Sequence, residues 1–477
     1  MENTLKPYPE YKESGSRWLG AVPKHWAVHN LRTLIKKRAE RDRPDLPLLT
    51  VAREKGVFVR SLTDENENHN VIPEDLSNYK VARAGNLVIN KMKAWQGSMG
   101  IAPCNGIVSP AYFVFDFCIA NRDFGQFLLR SKPYVAHFGQ ASDGVRVGQW
   151  DLTIQGMRQI PVVTPPPDEQ AAIVRFLDYE NSRIEKVIRA KKKLTILLNE
   201  QKQAIIHRAV TRGLDPNVKL KPSGIPWLGD IPEHWEMRRI RQIAAINPSK
   251  AESVEILHQN KTVTFLPMEQ VGVNGSIDSS KQVPPSSVWT GFTYFRRGDV
   301  LVAKITPCFE NGKGAYLDSL PTKIGFGSTE FHVLRPSSII RGSYLRLITS
   351  SKLFLVNGAN MMTGSAGQQR VPTDFIKNYT IPIPPIKEQD LIIKKINESV
   401  HGLSLVISTA EREISLLREY RTRLVSDVVT GKLDVRKAAK DLPEESDRSD
   451  VSDFSTLVGN QKDVSDDEFE TIAEEEI

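Results

Sequence analysis

From Ile393 to Val428 apolar residues recur at alternating spacings of three and four, through Ile396, Val400, Leu403, Ile407, Ala410, Ile414, Leu417 and Leu424, with Arg421 the one polar interruption. Ten of eleven positions are apolar, which is the seam of a coiled coil. The same row moved back by 219 residues keeps Val174, Leu177, Ile184, Ile188, Leu198, Ile205 and Ala209, seven of eleven. Two long helices are therefore predicted. Each starts behind a proline run, which cannot continue backwards as helix, with Asp168-Glu169 or Glu388 supplying first-turn negative charge. Each stops at a glycine, Gly213 or Gly431. About 42 residues at 1.5 Å each make a rod of roughly 60 Å. Such a helix cannot bury its stripe alone; the natural partner is its own copy, lying antiparallel and carrying the preceding blocks at opposite ends.

The blocks before each helix follow a different period. Short β-rich runs at Asn86 to Asn90, Ala111 to Phe117, Val300 to Lys304 and Glu330 to Leu334 alternate with Gly, Pro and Asn clusters, and Phe124 to Phe138 has helical spacing. This reads as mixed α/β (α+β), a central sheet with flanking helices. The blocks also repeat. SGSRWLGAVPKHWAVHNLR at Ser14 to Arg32 matches SGIPWLGDIPEHWEMRRIR at Ser223 to Arg241 in nine of nineteen positions, at an offset of 209. TPPPDEQ at Thr164 to Gln170 matches IPPIKEQ at Ile383 to Gln389, now at an offset of 219 that holds through Val210-Thr211 and Val429-Thr430. The helices are thus locked in length while the blocks vary. The expected order is a block over 1–165, a helix over 166–222, a second block over 223–385, a second helix over 386–436 and a tail over 437–477, an internal repeat with pseudo-two-fold symmetry. Trp18, Trp26, Trp227 and Trp235 read as structural plugs, and His25 and His234 as bonding locally.

Charge sharpens the picture. Residues 441–477 hold fourteen acidic and two basic residues and read as a disordered acidic tail, whereas 1–440 carry 62 Lys and Arg against 43 Asp and Glu, a net of +19. So basic a body favours a polyanionic partner, nucleic acid first. No run approaches the roughly 18 apolar residues of a membrane span, and MENTLKPYPEYKESG lacks a secretory apolar region, so a cytoplasmic protein without a membrane partner is expected. Cys104, Cys118 and Cys308 show no CxxC spacing, which suggests neither a disulfide framework nor a zinc site.

Enzyme motifs are missing. Glu310-Asn311-Gly312-Lys313-Gly314 lacks the leading glycine and the hydroxyl residue of a phosphate loop, no GxGxxG follows a strand, and no HxxxH or HExxH metal helix is read among the histidines. Asn247-Pro248-Ser249 is the nearest approach to the Asn/Asp-Pro-Pro-aromatic string of an aminomethyltransferase. No catalytic or metal-ligating residue is assigned.

The repeated WLGxIPxHW segment, the duplicated Pro-Pro-x-x-Glu-Gln helix start and the VTGKLD helix end together resemble the specificity subunit of type I restriction-modification enzymes, over roughly residues 14 to 436. The resemblance implies that the blocks are target-recognition domains, each reading one half of a bipartite, asymmetric double-stranded DNA site. It implies that the helices are the spacer on which two modification (methyltransferase) subunits dock to methylate adenine, and that restriction (endonuclease/translocase) subunits join them to cleave unmodified DNA. This chain would bind no cofactor itself; S-adenosylmethionine, ATP and Mg would sit on the partner subunits.

Sequence readers need donors and acceptors on loops that enter a groove. Two loops in each half qualify. In the first half these carry Lys91, Lys93, Trp95 and Gln96, then Ser142, Arg146 and Gln149; in the second, Lys304, Thr306, Asn311 and Lys313, then Ser365, Gln368, Gln369 and Arg370. Gly97, Gly144, Gly312 and Gly367 beside them would admit a close phosphate backbone. Lys191, Lys192 and Lys193 serve either solubility or phosphates. Two other readings stay open: a regulatory scaffold that binds partner subunits without reading DNA, and an enzyme whose site is not written as a contiguous motif.

Overall fold

The computed structural model describes residues 5–53, 55–60, 75–144, 150–258, 261–365 and 367–443. They belong to two compact units, one of residues 1–188 with 415–477 and one of residues 189–414. Both boundaries fall inside the long helices, so each unit is built from one block, the start of one helix and the end of the other.

The helices run Pro167–Arg212 and Ile386–Val429, 46 and 44 residues. Pro167 occupies the first helical position, where a missing N–H costs nothing. Gly213 and Gly431 close the helices in the left-handed conformation, at φ 73° and 79°. In the first unit Ile173, Phe176 and Leu177 share a core with Leu424, Val428 and Val429. In the second unit Ile206, Ala209 and Val210 share one with Ile392 and Ile396. Start lies against end in both, so the pairing inside each unit is antiparallel. The polar seam positions are partly matched across it: Lys191 Nζ lies 2.5 Å from Glu413 and Arg421 Nη1 3.1 Å from Glu185.

Each block centres on an antiparallel four-stranded sheet with the same order. In the first the strands are Ile35–Arg38, Tyr112–Phe117, Leu87–Asn90 and Met99–Ile101; in the second, Ala244–Ile246, Phe331–Pro336, Val300–Ala303 and Gly314–Tyr316. A smaller pair, Ala27–Asn30 with Pro161–Thr164 or Glu236–Arg239 with Thr380–Ile383, leads into each long helix. The second block also holds a sheet of Gln282–Val283, Val263–Leu266, Ile324–Gly327 and Thr293–Arg296, and the first holds the pairs Leu49–Ala52 with Gly56–Val59 and Lys80–Ala82 with Gly106–Val108, linked by a parallel bridge of Leu48 with Ile107.

The duplicated Glu-Gln has a structural reason. Gln170 accepts from Asn121 N at 2.9 Å and donates to Pro165 O at 2.8 Å; Gln389 accepts from Arg341 N at 2.8 Å and donates to Pro384 O at 2.9 Å. Asn121 and Arg341 each precede a flanking helix, Arg122–Leu129 or Gly342–Thr349, so the glutamine ties that helix to the start of the long one. His25 and His234 do not bond locally: their Nε2 atoms lie 2.7 Å from Glu169 and Glu388, far along the chain.

Two further expectations change. Phe124 to Phe138 is two helices, Arg122–Leu129 and Lys132–Gln140, because Pro133 lacks an N–H and its ring would strike the preceding turn. Residues 437–440, assigned above to the tail, lie in the helix Arg436–Lys440, whose Ala439 is buried at 2% exposure. Arg175 Nη2 donates to Leu442 O at 2.9 Å. The chain is held as far as Pro443; the rest of the tail lies outside the described residues.

Candidate nucleic-acid interface

In the first unit the hairpin of Leu87–Asn90 and Met99–Ile101 carries one candidate loop at its tip. Leu152 N donates to Lys91 O at 2.8 Å, and Lys91 Nζ lies 2.7 Å from Asp151. The short pair Ser142–Asp143 with Asp151–Leu152 is thereby brought against the loop. Trp95 sits edge-on to Trp150, 5.2 Å between ring centres, and its Nε1 donates to Met92 O at 3.1 Å. Both candidate loops therefore converge on one patch. Lys93 and Met92 are exposed on it and Gln96 is half-buried. The hydroxyl of Ser142 turns inward to Phe138 O at 2.7 Å. Arg146 and Gln149 lie outside the described residues.

The second unit repeats the convergence with different chemistry. Ile305 bridges Arg370, Thr306 N donates to Gln369 O at 3.0 Å, and Gln369 N donates back to Thr306 Oγ1 at 3.1 Å. Thr306 is thus the tie between the two loops. Asn311, Ser365 and Gln368 are exposed, while Lys304, Lys313 and Gln369 are half-buried. Arg370 meets Glu330 through a two-nitrogen fork, Nε 3.0 Å from Oε2 and Nη2 3.0 Å from Oε1. This partner raises the guanidinium pKa above its ordinary value.

Of the four glycines, Gly144 and Gly367 are exposed, but Gly97 and Gly312 are buried. A Cβ on Gly97 would stand 3.2 Å from Val135 Cγ2, and one on Gly312 3.1 Å from Leu355 Cδ1. Their φ values of 90° and 71° are left-handed. They shape the loop tips and do not offer a surface to phosphate.

Sequence reasoning missed Asp151 and Glu330, which neutralise a candidate cation in each half. The signal for Glu330 was present, since it begins a predicted strand; Asp151 opens a two-residue strand with no pattern around it. Asn247 is structural: its Oδ1 accepts from Val333 N at 2.9 Å, and its φ is 49°. Among the described residues no group of three His, Cys, Asp or Glu could hold a metal ion, and no helix is long and apolar enough to cross a membrane.

A family model described as "Type I restriction modification DNA specificity domain" matches residues 232–401. The EcoAI specificity subunit of Escherichia coli, a type I restriction enzyme subunit, is 40% identical over 171 residues, 35% of this chain and 28% of that protein. The EcoEI specificity subunit of Escherichia coli is 35% identical over 195 residues, 40% of this chain and 32% of that one. These matches span about a third or less of the relatives' own length. A chain from a structure described as the basis of complex assembly and conformational transition of the type I R-M system superposes with a TM-score of 0.60 at 15% identity, covering 86% of this chain and 99% of that one. This is a likeness of fold over both halves. Residues 232–401 thus match the type I restriction modification DNA specificity domain, and the resemblance of the chain to the specificity subunits of these systems, read from its repeated motifs, stands.

Proposed function

We propose that the chain is the non-catalytic DNA-recognition subunit of a type I restriction-modification complex. Each mixed α/β block reads one half of a bipartite, asymmetric site. The two long helices form a coiled-coil spacer on which two modification subunits dock; those subunits hold S-adenosylmethionine and methylate adenine, while restriction subunits with ATP and Mg cleave unmodified DNA. The observation that carries this reading is that two blocks with the same sheet order each bring two polar loops to one patch, and the patches differ in side chains. Same scaffold and different donors are what two unlike half-sites require. Apolar side chains left exposed on the helices, among them Leu194, Ile196, Leu197, Leu405 and Leu416, supply surface for protein partners.

The test is a chimera. Residues 223–385 are replaced by the matching block of a relative, and the chain is mixed with modification subunits and methyl donor. One half of the methylated sequence should change and the other stay. A chimera in which both halves changed would refute the reading.

A second reading, a regulatory scaffold that binds partner subunits without reading DNA, is favoured by the ion pairs at Lys91 and Arg370, which place a carboxylate on a candidate reader in each half. Assembly with modification subunits but no sequence-dependent methylation would establish it.

A further inference from the structure

Arg346 is a cation buried without a carboxylate. It lies on the Gly342–Thr349 helix of the second unit and is 9% exposed. Its Nη2 donates to Gly312 O at 2.9 Å and to Val273 O at 3.3 Å. Among the described residues no acid lies within ion-pair distance of it, and burial pushes its pKa down to about 10. A buried guanidinium in such surroundings is costly and persists only where its hydrogen bonds hold something that matters. What it holds are two separate segments. Gly312 sits between Asn311 and Lys313 on the second reading loop, and Val273 belongs to the tight turn at residues 271–277 that closes with Gly272 N on Ser276 O at 2.8 Å.

The first unit has a counterpart at the same place. Gln126 is the fifth residue of the Arg122–Leu129 helix, as Arg346 is of its own, and its Oε1 accepts from Ile101 N at 2.8 Å. Ile101 is on the second strand of the first reading hairpin. In both halves one helix position thus grips the reading hairpin. It does so as an acceptor in the first and as a charged donor in the second.

We propose that Arg346 is a positioning residue of the second reader, setting where Asn311 and Lys313 stand and so determining the second half-site alone. This rests on the DNA-reading function proposed above. Arg346 is buried and touches no base; it acts through the peptide of Gly312.

The test uses the full chain assembled with modification subunits, and methylation of oligonucleotides carrying single changes in either half-site. Arg346→Met removes the donors at similar length and should lower discrimination at the second half-site by about tenfold, leaving the first unchanged. Arg346→Lys, which keeps one charged donor, should restore part of it. Equal loss for all sequences, or unchanged discrimination, overturns the inference. Amide exchange at residues 309–314 of the wild-type assembly needs no substitution: slow exchange without DNA supports a preset loop, and exchange slowed only by DNA overturns it. If the wild-type assembly methylates no bipartite sequence, the function proposed above fails and takes this inference with it. If the wild type does so and Arg346→Met keeps its discrimination, only this inference fails.

Discussion

The indole Nε1 of Trp235 donates to Oε1 of Glu388 at 3.1 Å, and Trp26 makes the same bond to Glu169 at 3.0 Å. The motif that opens each block and the motif that opens each long helix are two sides of one joint. The other helix closes it: a Cβ on Gly213 would stand 3.2 Å from Trp235, and one on Gly431 3.1 Å from Trp26. Length-locking follows, because an insertion in either helix would pull its glycine off the tryptophan.

The joints are unequal, and their strengths should differ. Tyr8 OH donates to Glu169 at 2.7 Å as a further partner, and burial beside that carboxylate raises the phenol pKa well above its ordinary value. Glu169→Ala leaves two buried donors unpaired and should cost about 3 kcal/mol or more, against about 1–2 kcal/mol for Glu388→Ala. Denaturant unfolding of the two variants compares them directly; equal losses would show that Tyr8 adds nothing.

The seam and the glycine stops were legible because helical period and backbone conformation are written in neighbouring residues. Partnership over distance was not. Asn181 and Thr195, polar positions of the first seam, are half-buried and each holds a buried side-chain oxygen without a hydrogen-bond partner, whereas Lys191 and Arg421 are matched by Glu413 and Glu185 on the other helix. The candidate loops were found from their place beside a strand, yet Thr306 proved to be a tie between loops and Gly312 a buried turn residue. Loop residues of the same types serve either purpose, and only the fold assigns them.

The C-terminal boundary predicts two truncations with opposite outcomes. Ending the chain after Pro443 should leave the unfolding midpoint unchanged, since among the described residues the last ones packed on the core precede it. Ending it after Val435 removes Ala439 from the core and both carbonyls held by Arg175, and should lower the midpoint by a few degrees. A soluble, fully stable chain ending at Val435 would show that the terminal helix contributes nothing.

His332 makes the second unit sensitive to acid. Its Nε2 lies 3.0 Å from Val371 O, its Nδ1 is buried without a partner, and burial pushes its pKa below 6.5. The folded state therefore favours the neutral ring. The stability this contributes is present above about pH 6.5, the unfolded value, and is lost as pH falls through the lower folded value. His137 and His207 shift the same way by burial, so the wild-type slope has several sources. His332→Gln keeps a donor for Val371 without the titration. Unfolding measured from pH 7 down to 5 should be less pH-dependent in this variant; identical slopes would remove His332 from the account.

The seam carries a prediction that separates scaffold from reader. Ile407 is 8% exposed on the second long helix. Ile407→Asp places a carboxylate where the cost is about 3 kcal/mol or more if it stays unpaired. Methylation by the assembled complex should then fall for every target alike. A loss confined to one half-site would assign this part of the helix to recognition.

Arg370 and Glu330 decide whether the ion pair guards a reader or replaces one. An arginine fork that fits a carboxylate with two nitrogens also fits the O6 and N7 of a guanine, so the pair in the free chain can be exchanged for a base. Both side chains reach solvent, and an exposed pair of this kind is weakly held, so a DNA contact can displace it. If Arg370 reads a base, Arg370→Ala should relax one position of the second half-site at a cost of about 1–3 kcal/mol. Glu330→Gln should do the reverse of a simple loss. Without the competing charge the arginine meets any phosphate more readily, so affinity for unrelated DNA should rise at low salt and the preference for the correct site should narrow. Competition binding at two salt concentrations measures both effects. If Glu330→Gln left non-specific affinity untouched and Arg370→Ala left the second half-site as selective as before, the pair would be a structural clasp between strand and loop, and base reading would fall to Asn311, Ser365 and Gln368.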